Sequence, residues 1–271
     1  MMRRTLLAWV SWMLFGVVAS VGCSPSTLLG TASPDAQSSN EAIALTISAA
    51  ASLQDAMSMI QLVYEEANPG VTLTYNFGSS GSLQQQIEQG APVDIFLSAS
   101  PKQMDALEKK DLLLEGTRTE LLKNSIVLVT PADKATVSGF EDLDKETVHR
   151  LSIGEPDSVP AGQYGKETLE SLGLYDTVQS KIVFAKDVRQ VLTYVETGNV
   201  EAGLVYSSDA ERSEQVQIVA VAPDGSHAPI VYPGAVLIDS ANPDGAATFL
   251  DFLGTAEAIA IFENFGFLPA S

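Results

Sequence analysis

VTLTYNFGSSGSLQQQIEQGAPVDIFLSAS, residues 71 to 100, carries the pattern that decides the fold. Its first seven residues, VTLTYNF (71–77), are rich in β-branched and aromatic types and predict a strand. Five small residues, Gly78 to Ser82, follow, and three of them bear hydroxyls. LQQQIEQ (83–89) then places Leu83 and Ile87 four apart, the spacing of one helix face. Gly90 and Pro92 punctuate the chain before a second strand, VDIFLSA (93–99). Strand, turn, helix and strand make a crossover unit of the kind that joins parallel neighbours. The helix start within it is rich in hydroxyls, and no Lys or Arg lies anywhere in the stretch.

The same alternation runs along the chain from Ile43. Further strands are predicted at IALTISA (43–49), SIVLVT (125–130), LSIG (151–154), KIVFA (181–185), AGLVY (202–206), VQIVAV (216–221) and IVYPGAVLI (230–238). Helical spacing recurs in LQDAMSMIQLVYEEA (53–67) and VRQVLTYVETG (188–198), and DGAATFLDFLGTAEAIAIFENFGF (244–267) divides into two helices. The fold class expected is therefore α/β, with mostly parallel sheets flanked by helices on both faces. The strands group into 43–99 and 125–206, which predicts two lobes with a ligand in the cleft between them.

Ligands of open parallel sheets collect beyond the carboxyl ends of the strands, at helix N-termini. Five strand ends lead to suitable junctions: Ser52 in AAASLQDAM, the Gly78–Ser82 turn, Pro160-Ala161-Gly162, Asp187 before VRQVL, and Tyr206 closing AGLVY. Each has a plain structural reading. Ser52 with Asp55 fits a capping-box variant, Gly78–Ser82 a flexible turn, Asp187 a helix cap, and Tyr206 a core aromatic. Taken together they offer hydroxyls and unpaired backbone N–H groups without a cationic side chain, a set suited to a small oxyanion. A cage made only of donors favours an anion with no proton to place, such as sulfate or molybdate, over hydrogen phosphate.

Composition limits the alternatives. The 271 residues include 15 Lys and Arg against 34 Asp and Glu, a net charge of −19, which disfavours nucleic acid and anionic membrane surfaces as partners. At the N-terminus, MMRR followed by LLAWVSWMLFGVVAS has the charge and length of a signal peptide (1–22). The single cysteine, Cys23 in SVGCS, resembles the lipidated residue of a bacterial lipobox; the alternative is an ordinary cleaved signal with a free cysteine. Residues 23–41, rich in Ser, Pro, Ala and Thr, then read as a lipid-anchored flexible linker. Cleavage removes Arg3, Arg4 and both tryptophans, leaving a mature charge of −21.

AAASLQDAM, GSSGSLQQQIEQGAPVDIFLSAS, VPAGQYGKETLESLGLYD, AKDVRQVLTYVETGNVEAGLVYSSDA and FENFGF, in that order, resemble the periplasmic molybdate-binding proteins of ABC transporters. The resemblance spans Ile43 to about Leu268. It implies a two-lobed type II periplasmic-binding fold that closes over molybdate or tungstate. Residue by residue, it implies hydroxyl donors at Ser52, Ser80 and Tyr206 and backbone N–H donors at Ala161 and Val188. Molybdenum would be contacted only through its own oxygens, with no cofactor. Lobe 1 is expected at 42–122 plus 230–271 and lobe 2 at 123–229, with crossings near Leu122–Ser125 and Ala222–Ile230. A monomer is expected, delivering the anion to a membrane permease; the sequence has no P-loop, so a separate ATPase would supply the energy.

Two rivals stand beside this reading. The same fold could hold sulfate, phosphate or an organic acid. A serine hydrolase would need a G-x-S-x-G elbow with His and Asp partners, whereas Gly78-Ser79-Ser80-Gly81-Ser82 has serine in place of the second glycine. Only His149 and His227 are present to act as a base.

Overall fold

The computed structural model describes residues 42–270, and the expectations for the signal peptide, Cys23 and the linker lie outside these described residues. The chain begins with β1 (Ile43–Ala50), a short 3-10 turn and α1 (Gln54–Ala67), then β2 (Val71–Gly78), α2 (Ser80–Glu88), β3 (Ile95–Leu97), α3 (Pro101–Glu108) and β4 (Thr119–Lys123). It continues through β5 (Ile126–Pro131), β6 (Leu151–Gly154), α4 (Pro160–Ser171), α5 (Tyr175–Val178), β7 (Ile182–Ala185), α6 (Val188–Glu196), β8 (Ala202–Tyr206), α7 (Ser207–Ala210) and β9 (Val216–Val221). It closes with β10 (Val231–Val236), α8 (Pro243–Leu253), α9 (Ala256–Asn264) and β11 (Leu268–Pro269).

These strands form two sheets. One has the order β11-β4-β10-β3-β1-β2, the other β7-β6-β8-β5-β9. The chain therefore passes from the first sheet to the second between β4 and β5 and returns between β9 and β10. Each sheet with its helices makes one lobe.

The expectation of mostly parallel sheets needs correction. Strands joined through helices are parallel, as in β2-β1-β3 and β7-β6-β8. The strands next to the crossings run the other way: β10 is antiparallel to β3 and β4, and β5 to β8 and β9. The reason is connectivity. A chain that arrives from the neighbouring lobe has no crossover helix to turn it back, so it joins the sheet in the opposite direction. β4 and β11, both paired antiparallel, lie outside the strand runs expected from the sequence.

Register positions the site. β1 pairs with β2 from Ile43↔Val71 to Ala50↔Gly78, and with β3 at Ala49↔Leu97. The carboxyl ends of all three strands thus finish side by side, and the turns carrying Ser52, Ser80 and Ala99 start from one edge. In the second lobe, Gly154↔Ala185 similarly aligns the ends of β6 and β7. Behind these edges the core is apolar and closed, with Ile47, Ile95, Leu128, Ile153 and Leu204 fully buried. α4 sits so tightly on the end of β6 that a Cβ at Gly162 would lie 1.9 Å from the Gly154 carbonyl oxygen. Only glycine permits that approach.

Candidate functional site

All five residues expected to bind the ligand come together. Ser52 and Ser80 from the first lobe and Ala161, Val188 and Tyr206 from the second line one cavity, along with Ala50, Gly78, Ser79, Ala99 and Asp187 among others. It lies between the two sheets and is lined from both. No Lys, Arg or His is among its lining residues.

The hydroxyls are set up as donors. Ser80 is fully buried at the start of α2, and its Oγ accepts the Ala99 N–H at 2.9 Å. That bond occupies the oxygen and leaves the hydroxyl proton free for another acceptor. Ser79 plays a different part as the N-cap of α2, its Oγ accepting the Ser82 N–H and donating to Ser82 Oγ at 2.9 Å. Of the two serines in the turn that line the cavity, Ser80 is the one with a proton to spare. Tyr206 is buried, and its hydroxyl has no hydrogen-bond partner among the described residues. Burial pushes its pKa well above the usual tyrosine value, with Tyr232 adding to the effect, so it remains a neutral donor.

The remaining donors are backbone groups. Ala161 lies in the first turn of α4 behind Pro160, and Val188 is the first residue of α6. First-turn N–H groups have no acceptor within their own helix, and the helix dipole adds partial positive charge there. Asp187 also faces the cavity, but its carboxylate is turned back to cap α6 by accepting the Gln190 N–H at 2.8 Å, as expected.

The capping-box reading of Ser52 with Asp55 is overturned. Ser52 sits in the 3-10 turn before α1, where no side chain caps the helix. Its Oγ lies instead 3.0 Å from the Tyr232 hydroxyl. Asp55 pairs across the cleft with Arg189 on α6, at 2.8 Å, and Arg189 also reaches the buried Asp209 at 3.3 Å. Tertiary partners displaced the local bonds. Residue spacing had pointed to none of Tyr232, Asn124 or Arg189, because each belongs to a different segment from the group it serves.

The lobes touch across the mouth of the cavity. Gly81 N–H donates to the Ser158 carbonyl at 2.9 Å, and Lys102 Nζ donates to Gln163 Oε1 at 3.2 Å. The histidines are elsewhere. His149 is exposed, and His227 lies in a turn where its ring packs against Tyr164 with centroids 5.7 Å apart. Neither belongs to the cavity lining.

Residues 45–268 match the model of the bacterial extracellular solute-binding proteins. The chain belongs to this family.

As a solute-binding protein it is a member of a group of transport components. It is 46% identical over 84% of its length to a Bacillus subtilis protein named provisionally as an ABC transporter substrate-binding lipoprotein, covering 88% of that relative. It is 40% identical to the molybdate-binding protein ModA of Haemophilus influenzae, over 82% of this chain and 89% of the relative. Among solved structures, the periplasmic molybdate-binding protein of Azotobacter vinelandii superposes with a TM-score of 0.75, covering 83% of this chain and 98% of that one. At 24% identity that match speaks for the fold, the type II periplasmic-binding architecture, in which two lobes flank a ligand cleft.

Proposed function

We propose that this solute-binding protein captures molybdate, and tungstate with it, outside the cytoplasm and delivers the anion to an ABC permease driven by a separate ATPase. The observation that carries this reading is the donor set of the cavity. Three hydroxyls, from Ser52, Ser80 and Tyr206, and the first-turn N–H groups of Ala161 and Val188 surround a small space with no cationic side chain. The Tyr206 hydroxyl is a buried donor without a protein acceptor, and such a group costs about 1–3 kcal/mol unless something accepts from it. A tetrahedral dianion supplies four acceptors and needs none. Hydrogen bonds to a charged partner contribute about 1.5–3 kcal/mol each, so several offset the repulsion from the negative surface.

The ModA relatives lend the ligand its identity. We read the chain as a binder rather than an enzyme, acting as a monomer, with lobe boundaries near the two crossings. Cys23 would carry the lipid anchor, as the name of the Bacillus relative suggests, with residues 24–41 as the tether. Calorimetric titration of the protein with molybdate, tungstate, sulfate and phosphate tests the reading. Tight binding of molybdate and tungstate with weak sulfate binding is expected. Sulfate binding as tight as molybdate would reassign the ligand, and no heat with any of the four would reject the oxyanion site. A thermal shift is the companion assay, since ligand at a thousandfold over its Kd stabilises by about 4 kcal/mol.

A further inference from the structure

Ser52 is held by a chain of hydrogen bonds that starts outside the cleft. The side chain of Asn124, at the crossing between β4 and β5, accepts the Ser125 backbone N–H at 2.9 Å and the Ser207 hydroxyl at 3.0 Å. A backbone N–H can only donate, so the accepting atom is the amide oxygen and the amide nitrogen faces the other way. That nitrogen donates to Ser208 Oγ at 2.8 Å and to the Tyr232 hydroxyl at 3.3 Å. Tyr232 then has a donor on one side and the Ser52 Oγ on the other, at 3.0 Å. By geometry that bond can run either way, and the Asn124 donor on the tyrosine oxygen favours the direction in which the Tyr232 proton goes to Ser52. In that direction the Ser52 proton is left for the cavity that Ser52 lines.

The tyrosine is well placed for this role. It is 1% exposed, with its ring packed against Tyr206 at 5.8 Å and edge-on to Phe267 at 5.5 Å. Burial raises its pKa, so it does not ionise and keeps the proton that it donates. Ser80 shows the same logic in another form, with the Ala99 N–H on its oxygen. In both serines an internal donor takes one lone pair of the oxygen, which leaves the hydroxyl proton to be given to the ligand.

We propose that Tyr232 and Asn124 are positioning residues that fix the Ser52 hydroxyl as a donor and so set the preference of the cleft for fully deprotonated oxyanions. The inference rests on the oxyanion-binding reading above. An anion that keeps a proton, such as hydrogen phosphate, needs an acceptor in the cage, and a serine oxygen already receiving a proton serves poorly. The bonds also join the lobes, since Tyr232 lies on β10 of the first sheet and Ser207 and Ser208 on α7 beside the second.

Tyr232→Phe keeps the packed ring and removes only the hydroxyl. Calorimetry near neutral pH on the full-length protein, on Tyr232→Phe, on Ser52→Ala and on the double variant, each with molybdate and with phosphate, separates positioning from structure. Tyr232→Phe is expected to weaken molybdate binding about tenfold, the loss of one ordered bond to a charged partner. In the Ser52→Ala background the same change should fall within about twofold of no effect, because its target is gone. The molybdate-to-phosphate affinity ratio should narrow in Tyr232→Phe. Asn124→Asp, which offers the tyrosine proton a competing carboxylate, should match its loss. Equal losses in both backgrounds, or wild-type affinity in Tyr232→Phe, would overturn the proposal while leaving molybdate binding intact. Failure of the unaltered protein to bind molybdate would instead reject the functional reading, and this inference with it.

Discussion

Closure of the cleft should be vulnerable at one backbone contact. Gly81, in the first turn of α2, donates its N–H to the Ser158 carbonyl of the opposite lobe at 2.9 Å. A Cβ at this position would lie 2.6 Å from that oxygen and 2.7 Å from Ser158 Cα. Both are main-chain atoms, so no side-chain rotation relieves the clash; the lobes must separate or the Ser158 loop must shift. Overpacking of this kind costs about 1–3 kcal/mol, and the lost hydrogen bond adds about 0.5–1.5 kcal/mol. The open form meets no such clash and gains helix propensity, up to about 1 kcal/mol for alanine over glycine. Gly81→Ala should therefore weaken molybdate binding by about 2–4 kcal/mol, roughly 30- to 1000-fold in Kd. Calorimetric titration gives the affinity, and a melt without ligand gives the stability. The expected pair is a weakened Kd with an unchanged or raised Tm. Wild-type affinity, or a fall in Tm large enough to account for the lost binding, would refute the reasoning.

Three other outcomes are expected. Tyr206→Phe removes a buried hydroxyl that no protein group satisfies, so ligand-free stability should hold or rise by about 1 kcal/mol while molybdate affinity falls by about 1.5–3 kcal/mol, read by melting and titration. Ser80→Ala should weaken binding by a similar amount but also destabilise the ligand-free protein by about 1–3 kcal/mol, because the buried Ala99 N–H loses its acceptor; an unchanged Tm would count against that bond. The third concerns Asp209, whose carboxyl is pushed up to about 6 by burial, against the pull of Arg189. A raised folded-state value means that its contribution to stability is fully present below the unfolded carboxylate pKa of about 4 and is lost as pH rises through about 6. Asp209→Asn should accordingly be more stable than the parent near pH 7, by at most about 3 kcal/mol, with the difference vanishing near pH 4. A pH-independent difference in Tm would contradict the shift.

Local pattern made the nine strand runs and the hydroxyl-rich junctions legible, because they depend on residue types a few positions apart. β4 escaped notice since TELLK has buried Leu121 and Leu122 adjacent rather than alternating, and its partners come from β10 and β11. Strand direction was also out of reach for β5 and β10, being set by how the chain passes between lobes and not by any local preference.

At the site the division is sharper. Ser80, Ala161, Val188, Ser52 and Tyr206 could be placed at strand ends from the sequence, and their motif order already carried the family resemblance. What each polar group bonds to was a tertiary matter. Ser52 lies 180 residues from Tyr232, and Arg189 lies 134 from Asp55. A capping box between Ser52 and Asp55 is what short-range chemistry favours in isolation, yet the folded chain brings stronger or better-buried partners within reach of both. Sequence determined which donors stand at the cleft, because helix starts and strand ends are local events. Only the closed pair of lobes decided which of those donors still has a proton to give, because that depends on neighbours delivered from the far side of the chain.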